Sequence, residues 1–83
     1  MKTLRYTVTR GESKGMHLFP HRQEDGTYIA SKTKNESDYV RVRTLAELIE
    51  YHKNGYSIRM SNPQDPRRGP SLIISDSIEV VDQ

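Results

Sequence analysis

The feature that most constrains the fold is a change of periodicity within residues 39–55, YVRVRTLAELIEYHKNG. Up to Arg43 apolar and polar residues alternate, with Val40 and Val42 on one face, as in a half-buried strand. From Leu45 the apolar positions recur every three or four residues, which is the pattern of a helix with one core-facing side. A strand is therefore expected to lead directly into a helix at Thr44.

The sequence also marks both ends of this helix. Thr44 and Glu47 have the spacing of a capping box, in which the threonine oxygen accepts a backbone N–H and the glutamate reaches back. Gly55 stands where a left-handed C-terminal cap is expected. We predict a helix from about residue 45 to 54, with a core-facing stripe formed by Leu45, Leu48, Ile49 and His52.

Alternating patterns elsewhere predict the remaining strands, at about residues 4–9, 16–22 and 27–32 before the helix. The Asp25-Gly26 step between the second and third strands predicts a tight turn and an antiparallel hairpin. After the helix we expect a strand near residues 56–62. A second alternation follows from 71 to 81, with one face formed by Leu72, Ile74, Ile78 and Val80. The proline-rich segment between them predicts a flexible loop at 62–70.

These patterns predict a single small α+β domain over residues 1–83, in which one short helix packs on one face of an antiparallel sheet. The sheet is expected to have about five strands, in the order β-β-β-β-α-β-β. A helix of about ten residues is only about 15 Å long and cannot cover both faces of such a sheet. The other face is expected to curl into a half-barrel, meet a second copy or meet a partner.

Composition excludes several classes of function. The chain has no cysteine, which removes disulfides, thiol catalysis and cysteine-ligated metal sites and fits a reducing cytoplasm. No apolar run approaches the roughly 18 residues of a membrane span. His17 and His21 would stand about 13 Å apart on a strand, too far to share a metal ion. Without a nucleotide-binding loop or a nucleophile elbow, we expect no enzyme, metal or small-molecule cofactor.

The candidate binding residues follow from the same alternation. If Val40 and Val42 face the core, Tyr39, Arg41 and Arg43 must lie on the opposite face. Arginine and tyrosine are favoured contact residues both at protein interfaces and with nucleic acids. Arg67 and Arg68, in the proline-bounded loop, have the chemistry to hold phosphate or carboxylate groups. The predicted partner-binding residues are Arg5, Tyr39, Arg41, Arg43, Arg59, Arg67 and Arg68.

We therefore predict a small non-catalytic binding module that acts in the cytoplasm. The preferred function is protein–protein interaction, as an inhibitor or adaptor, through the open sheet face or an edge strand, with self-association into a homodimer as one form. The alternative is a nucleic-acid-binding accessory domain that uses the same arginines and tyrosine. A net charge of only +2 is small for a dedicated nucleic-acid binder.

The stretches DGTYIAS and YVRVRTLAELIEYHKNG resemble the rear half of a Src homology 2 domain, where strands lead into a short helix and a glycine-bearing turn. The resemblance covers under half of the chain. It implies a phosphotyrosine-binding arginine on a strand that follows an N-terminal helix, whereas only Met1 to Leu4 precede Arg5. The likeness is therefore not taken as membership of that family.

Overall fold

The computed structural model describes residues 1–65 and 67–83. In this part of the chain seven strands accompany one α-helix. The helix, α1, spans Leu45–Lys53. The strands are β1 (Lys2–Thr7), β2 (His17–Pro20), β3 (Tyr28–Ser31), β4 (Val40–Val42), β5 (Ser57–Ser61), β6 (Ser71–Ile73) and β7 (Glu79–Asp82). The predicted α+β domain with a single helix is confirmed, although the sheet has more strands than the five expected.

The sheet is antiparallel at every pairing and follows the order β4-β3-β5-β2-β1-β7, with β6 added to β5. It is curled, and α1 packs against β1, β3, β4 and β5. The side chains between helix and sheet form the core, in which Leu4, Leu48, Ile58 and Met60 are fully buried. We call the face of the sheet that points away from α1 the open face.

Strand β5 has an unusual set of neighbours. Ile58 pairs with Ala30 of β3 on one edge and with Ile73 of β6 on the other. Met60 likewise lies between Pro20 of β2 and a residue of β6. Because a strand has only two edges, β2 and β3 must follow one another along the same edge of β5. Both are antiparallel to β5, so they run in the same direction.

The predicted hairpin between the second and third strands is therefore wrong. The Asp25-Gly26 turn does form, with Gly26 at a φ of 84°, but the strands on either side of it do not pair with each other. The residues of a turn determine only that the chain reverses direction there. Which strands pair depends on where each strand can bury its apolar face. Here β5 offers one continuous edge to both strands, and residues 22–27 leave the sheet as the β2–β3 loop.

The prediction of one alternation from 71 to 81 is also wrong. β6 ends at Ile73, β7 begins at Glu79, and a 3-10 turn at Ser75–Ser77 separates them. β6 extends the sheet beyond β5, whereas β7 lies beside β1 at the other end. The polar run around Asp76 is where the chain crosses between these two positions.

The faces of this segment differ from the prediction as well. Ile73, and not Leu72, packs against the core, because it pairs directly with the buried Ile58. Ile74 and Val80 were expected on the core face but are 59% and 39% exposed. Ile78 is buried as expected.

The helix confirms the sequence prediction almost to the residue. Leu48 is fully buried and Ile49 nearly so, and Gly55 has the positive φ of 88° that a left-handed cap requires. The Glu47 N–H donates to the Thr44 oxygen at 3.2 Å. The Glu47 carboxylate, however, accepts the Thr44 hydroxyl at 3.1 Å, instead of the Thr44 backbone N–H expected for a capping box.

The other end of the stripe holds His52, which is half-buried. Its Nδ1 lies 3.2 Å from the Ser75 hydroxyl, and that hydroxyl donates to the His52 carbonyl at 2.8 Å. Burial lowers the pKa of His52, and the neighbouring Lys53 charge acts in the same direction. The contact fixes the turn between β6 and β7 to the C-terminal end of α1.

The predicted flexible loop at 62–70 includes Pro66, which lies outside the described residues. Before it, the Asp65 N–H donates to the Asn62 carbonyl at 3.1 Å. After it, Arg68 reaches back to Asp65, with its Nε 3.7 Å from the carboxylate. The flexibility of the loop stays a prediction. In the described part of the chain, no helix is long and apolar enough to cross a membrane.

Leu48→Ala should lower the free energy of unfolding by about 2–5 kcal/mol, because it opens a cavity at a fully buried position. Ile74→Ala removes a side chain that is 59% exposed and should cost less than about 0.5 kcal/mol. Urea denaturation of both variants measures the difference. Equal losses would contradict the assignment of the buried face of α1.

Thr44→Ala should cost about 1 kcal/mol, because it removes the oxygen that accepts the Glu47 N–H. Thr44→Ser keeps that oxygen and should retain most of the stability. Thermal unfolding followed by circular dichroism compares the two variants. A serine variant as unstable as the alanine one would show that the methyl group, and not the cap, carries the effect.

Candidate binding surface

The β2–β3 loop folds back over the open face of the sheet. Its Gln23 accepts a hydrogen bond from Arg59 of β5 at 3.3 Å, and its Asp25 lies 3.7 Å from Arg41 of β4. Ile29, which pairs with Arg41 and so points away from α1, is nevertheless only 2% exposed. The open face is therefore partly covered by the chain itself.

The loop is held by its own hydrogen bonds. The Gln23 N–H donates to the Thr27 carbonyl at 2.8 Å, and the Gly26 N–H donates to the Gln23 carbonyl at 2.9 Å. Asp25 accepts from the Thr27 hydroxyl at 2.6 Å and from the Thr27 N–H at 3.0 Å. These contacts give the loop a defined shape and fix the position of the Asp25 carboxylate.

Three depressions meet around this loop, and arginines line all of them. The first lies between Arg41 and Arg59, the second includes Arg22 and Arg43, and the third reaches Arg68. The first and second share Arg41, and the second and third share Arg22. We call this continuous region the arginine surface, defined by Arg22, Arg41, Arg43, Arg59 and Arg68.

The structure thus brings together four of the seven predicted residues, namely Arg41, Arg43, Arg59 and Arg68. Arg5 is elsewhere, where its Nε and Nη2 donate to one oxygen of Glu79 on β7 at 3.1 and 3.0 Å. Tyr39 and Arg67 do not line the three depressions, and their role stays a prediction. Arg22 was not predicted from the sequence, because it lies next to a turn and no periodicity assigns it to a face.

Two carboxylates lie among these arginines. Glu24 and Asp25 line the same depression as Arg41 and Arg59. The Thr27 hydroxyl and N–H lower the pKa of Asp25, with a smaller contribution from Arg41. Asp25 therefore stays ionised at neutral pH and places a negative charge within the arginine surface.

The three histidines each meet a hydroxyl group. Their Nδ1 atoms lie 2.9, 3.0 and 3.2 Å from oxygens of Thr7, Ser61 and Ser75 for His17, His21 and His52 respectively. Within residues 1–65 and 67–83, no group of three or more acidic or histidine side chains could hold a metal ion.

Thr27→Val should raise the pKa of Asp25 toward its ordinary value, because the side-chain hydrogen bond is the largest cause of its lowering. Arg41→Gln should raise it less. A carbon-detected NMR titration of the Asp25 carboxylate measures both. Because the pKa is lower in the folded state, this carboxylate stabilises the fold above its unfolded-state pKa, and the contribution is lost as pH falls through the folded-state pKa. A larger shift for Arg41→Gln would contradict this order.

The comparisons with known proteins do not assign a family or a function to the chain. No family model matches the chain, and neither a curated protein nor a solved structure matches it. The resemblance to a Src homology 2 domain therefore has no support beyond the short stretches that carry it. Any function has to be inferred from the arginine surface and the rest of the structure.

Proposed function

We propose that the protein is a non-catalytic binding module that holds an acidic segment of a protein partner on its arginine surface. The observation that carries this proposal is the convergence of five arginines from separate parts of the chain around the β2–β3 loop. An arginine side chain presents N–H groups in a planar fork that matches a carboxylate, so the surface is suited to aspartate and glutamate side chains.

The arginines are partly ordered before any partner arrives. Arg59 donates to Gln23, and Arg41 lies beside Asp25 while its side chain remains 67% exposed. Side chains that are already oriented lose less entropy on binding, which favours affinity. The remaining N–H groups of Arg41 still face solvent and are available to a second carboxylate.

The two carboxylates within the surface favour a protein over a nucleic acid. A continuous polyphosphate would approach Glu24 and Asp25 as well as the arginines, and like charges in contact are costly. A protein partner can place its own basic or neutral side chain opposite them and its acids opposite the arginines. A surface that carries both positive and negative charges therefore favours a partner with a complementary pattern of charges over a uniformly negative one.

Nucleic-acid binding remains the alternative, and one observation favours it. Five arginines outnumber the two carboxylates on this surface, so its net charge is positive. Phe19 lines the same depression as Arg68 and offers a ring on which a base can stack. The two proposals differ in how binding depends on salt and on the spacing of the ligand's charges.

The chain contains no cysteine, which suits the reducing cytoplasm in which we propose that it acts.

The test compares two probes by fluorescence anisotropy: a short peptide in which aspartate alternates with serine, and a single-stranded oligothymidylate. Arg41→Glu should weaken peptide binding by about tenfold, because it places a carboxylate where the peptide's own must sit. Arg10→Glu, an exposed arginine of the β1–β2 connection that does not line the three depressions, is the control with the same change of charge.

Equal losses for the two variants would contradict a dedicated surface. Tighter binding of the oligothymidylate, with a salt slope of about −0.7 per phosphate contacted, would favour the nucleic-acid alternative. Failure of the peptide to bind even at low salt would rule out the preferred proposal.

A further inference from the structure

A second concave site adjoins the arginine surface, because Phe19 and Pro20 line both, and it is otherwise lined by β1, β7 and the first residue of α1. Its volume is about 370 Å³, and none of the five arginines that define the arginine surface lines it. Its walls are Phe19, Tyr28, Leu45 and Val81, and its polar groups include Arg5 and Thr3. We call it the Arg5 cleft.

The curl of the sheet creates this cleft. β7 lies beside β1 at one end of the strand order, and β3 and β4 lie toward the other. Yet Val81 of β7 and Tyr28 of β3 line the same cleft, together with Leu45, the first residue of α1. The curl therefore brings elements from opposite ends of the sheet around a single opening.

Phe19 and Val81 have no role in the core. Both are half-buried, but neither belongs to the buried cluster nor to the partly buried side chains packed against it. An aromatic ring that is half-buried outside the core leaves apolar surface in a concave position. Pockets for small ligands have this composition, in which apolar walls surround a few polar groups.

Arg5 is fixed in orientation at this site. Its Nε and Nη2 donate to a single oxygen of Glu79, and its side chain is 34% exposed. A guanidinium has five N–H donors, so this pair does not use them all. The carboxylate of Asp82, also on the cleft wall, lies 2.9 Å from the Lys2 ammonium, which offsets its charge. Thr3, which is only 5% exposed, is a second polar residue of the lining.

We propose that the Arg5 cleft binds a small carboxylate that carries an aromatic or branched apolar group. The apolar group would lie against Phe19, Tyr28 and Leu45, and the carboxylate would accept hydrogen bonds from Arg5. The volume of the cleft falls within the range of small-molecule sites, about 300–1,000 Å³. A free aromatic acid and the terminal carboxylate of a peptide ending in phenylalanine share this chemistry.

The test follows backbone amide signals by NMR during titration with phenylacetate, and with phenylacetamide as its neutral isostere. Phenylacetate should shift the signals of Thr3, Arg5 and Val81 and leave that of Arg41 unchanged, and phenylacetamide should bind at least about tenfold more weakly. A peptide ending in phenylalanine, with its carboxyl group free or amidated, distinguishes a chain terminus from a free acid as the source.

Arg5→Gln should weaken phenylacetate binding about tenfold, whereas Arg10→Gln should leave it unchanged. Glu79→Gln tests the same contact without removing Arg5, and by freeing the guanidinium it should strengthen binding by about two- to fivefold. If Arg5→Gln fails to fold, the Glu79→Gln result decides. Equal binding of phenylacetate and phenylacetamide, shifts centred on the arginine surface, or no gain in Glu79→Gln would overturn the proposal.

Discussion

The arrangement of the molecule depends on one edge of β5. That edge pairs first with β3 and then with β2, while β6 occupies the other edge. Ile58 and Met60, the inward-facing residues of β5, are both fully buried, so the strand cannot shift its register without exposing them. Because three neighbours are held by one strand of five residues, the rest of the chain must connect around it.

The arginine surface is the direct consequence. The His21 N–H donates to the Arg59 carbonyl at 2.9 Å, and Ala30 pairs with Ile58, the next residue toward the N-terminus of β5. Residues 22–29 thus lie between two adjacent pairing positions on β5. Tyr28 and Ile29 pair with β4, and residues 22–27 form the β2–β3 loop. The loop leaves the sheet plane toward the open face, where it meets Arg41 and Arg59. The same strand pairing that builds the core therefore also sets the spacing of the charges.

The sequence correctly predicted those features that depend on residues close together in the chain. The helix, its threonine cap, the glycine at its end and the inward faces of Val40 and Val42 all follow from periodicity over a few residues. The partners of β2 and β3 do not, because a strand that alternates correctly can pair with any edge that buries its apolar face. The sequence also did not predict that β6 and β7 are separate strands, or that Arg22 lies on the arginine surface. Both features depend on contacts between residues far apart in the sequence. Four of the predicted arginines lie on the arginine surface. The sequence of the β2–β3 loop predicted a turn, but it did not predict that the loop would contact these arginines.

The pairing along β5 is best tested by long-range hydrogen-bond couplings and cross-strand NOEs measured by NMR. We expect a coupling between the His21 amide and the Arg59 carbonyl, together with NOEs that join Ala30 to Ile58 and Phe19 to Ser61. NOEs that instead join β2 directly to β3 as a hairpin across the Asp25-Gly26 turn would contradict this pairing. In that case the β2–β3 loop would not lie over the open face, and the arginine surface would not exist as described.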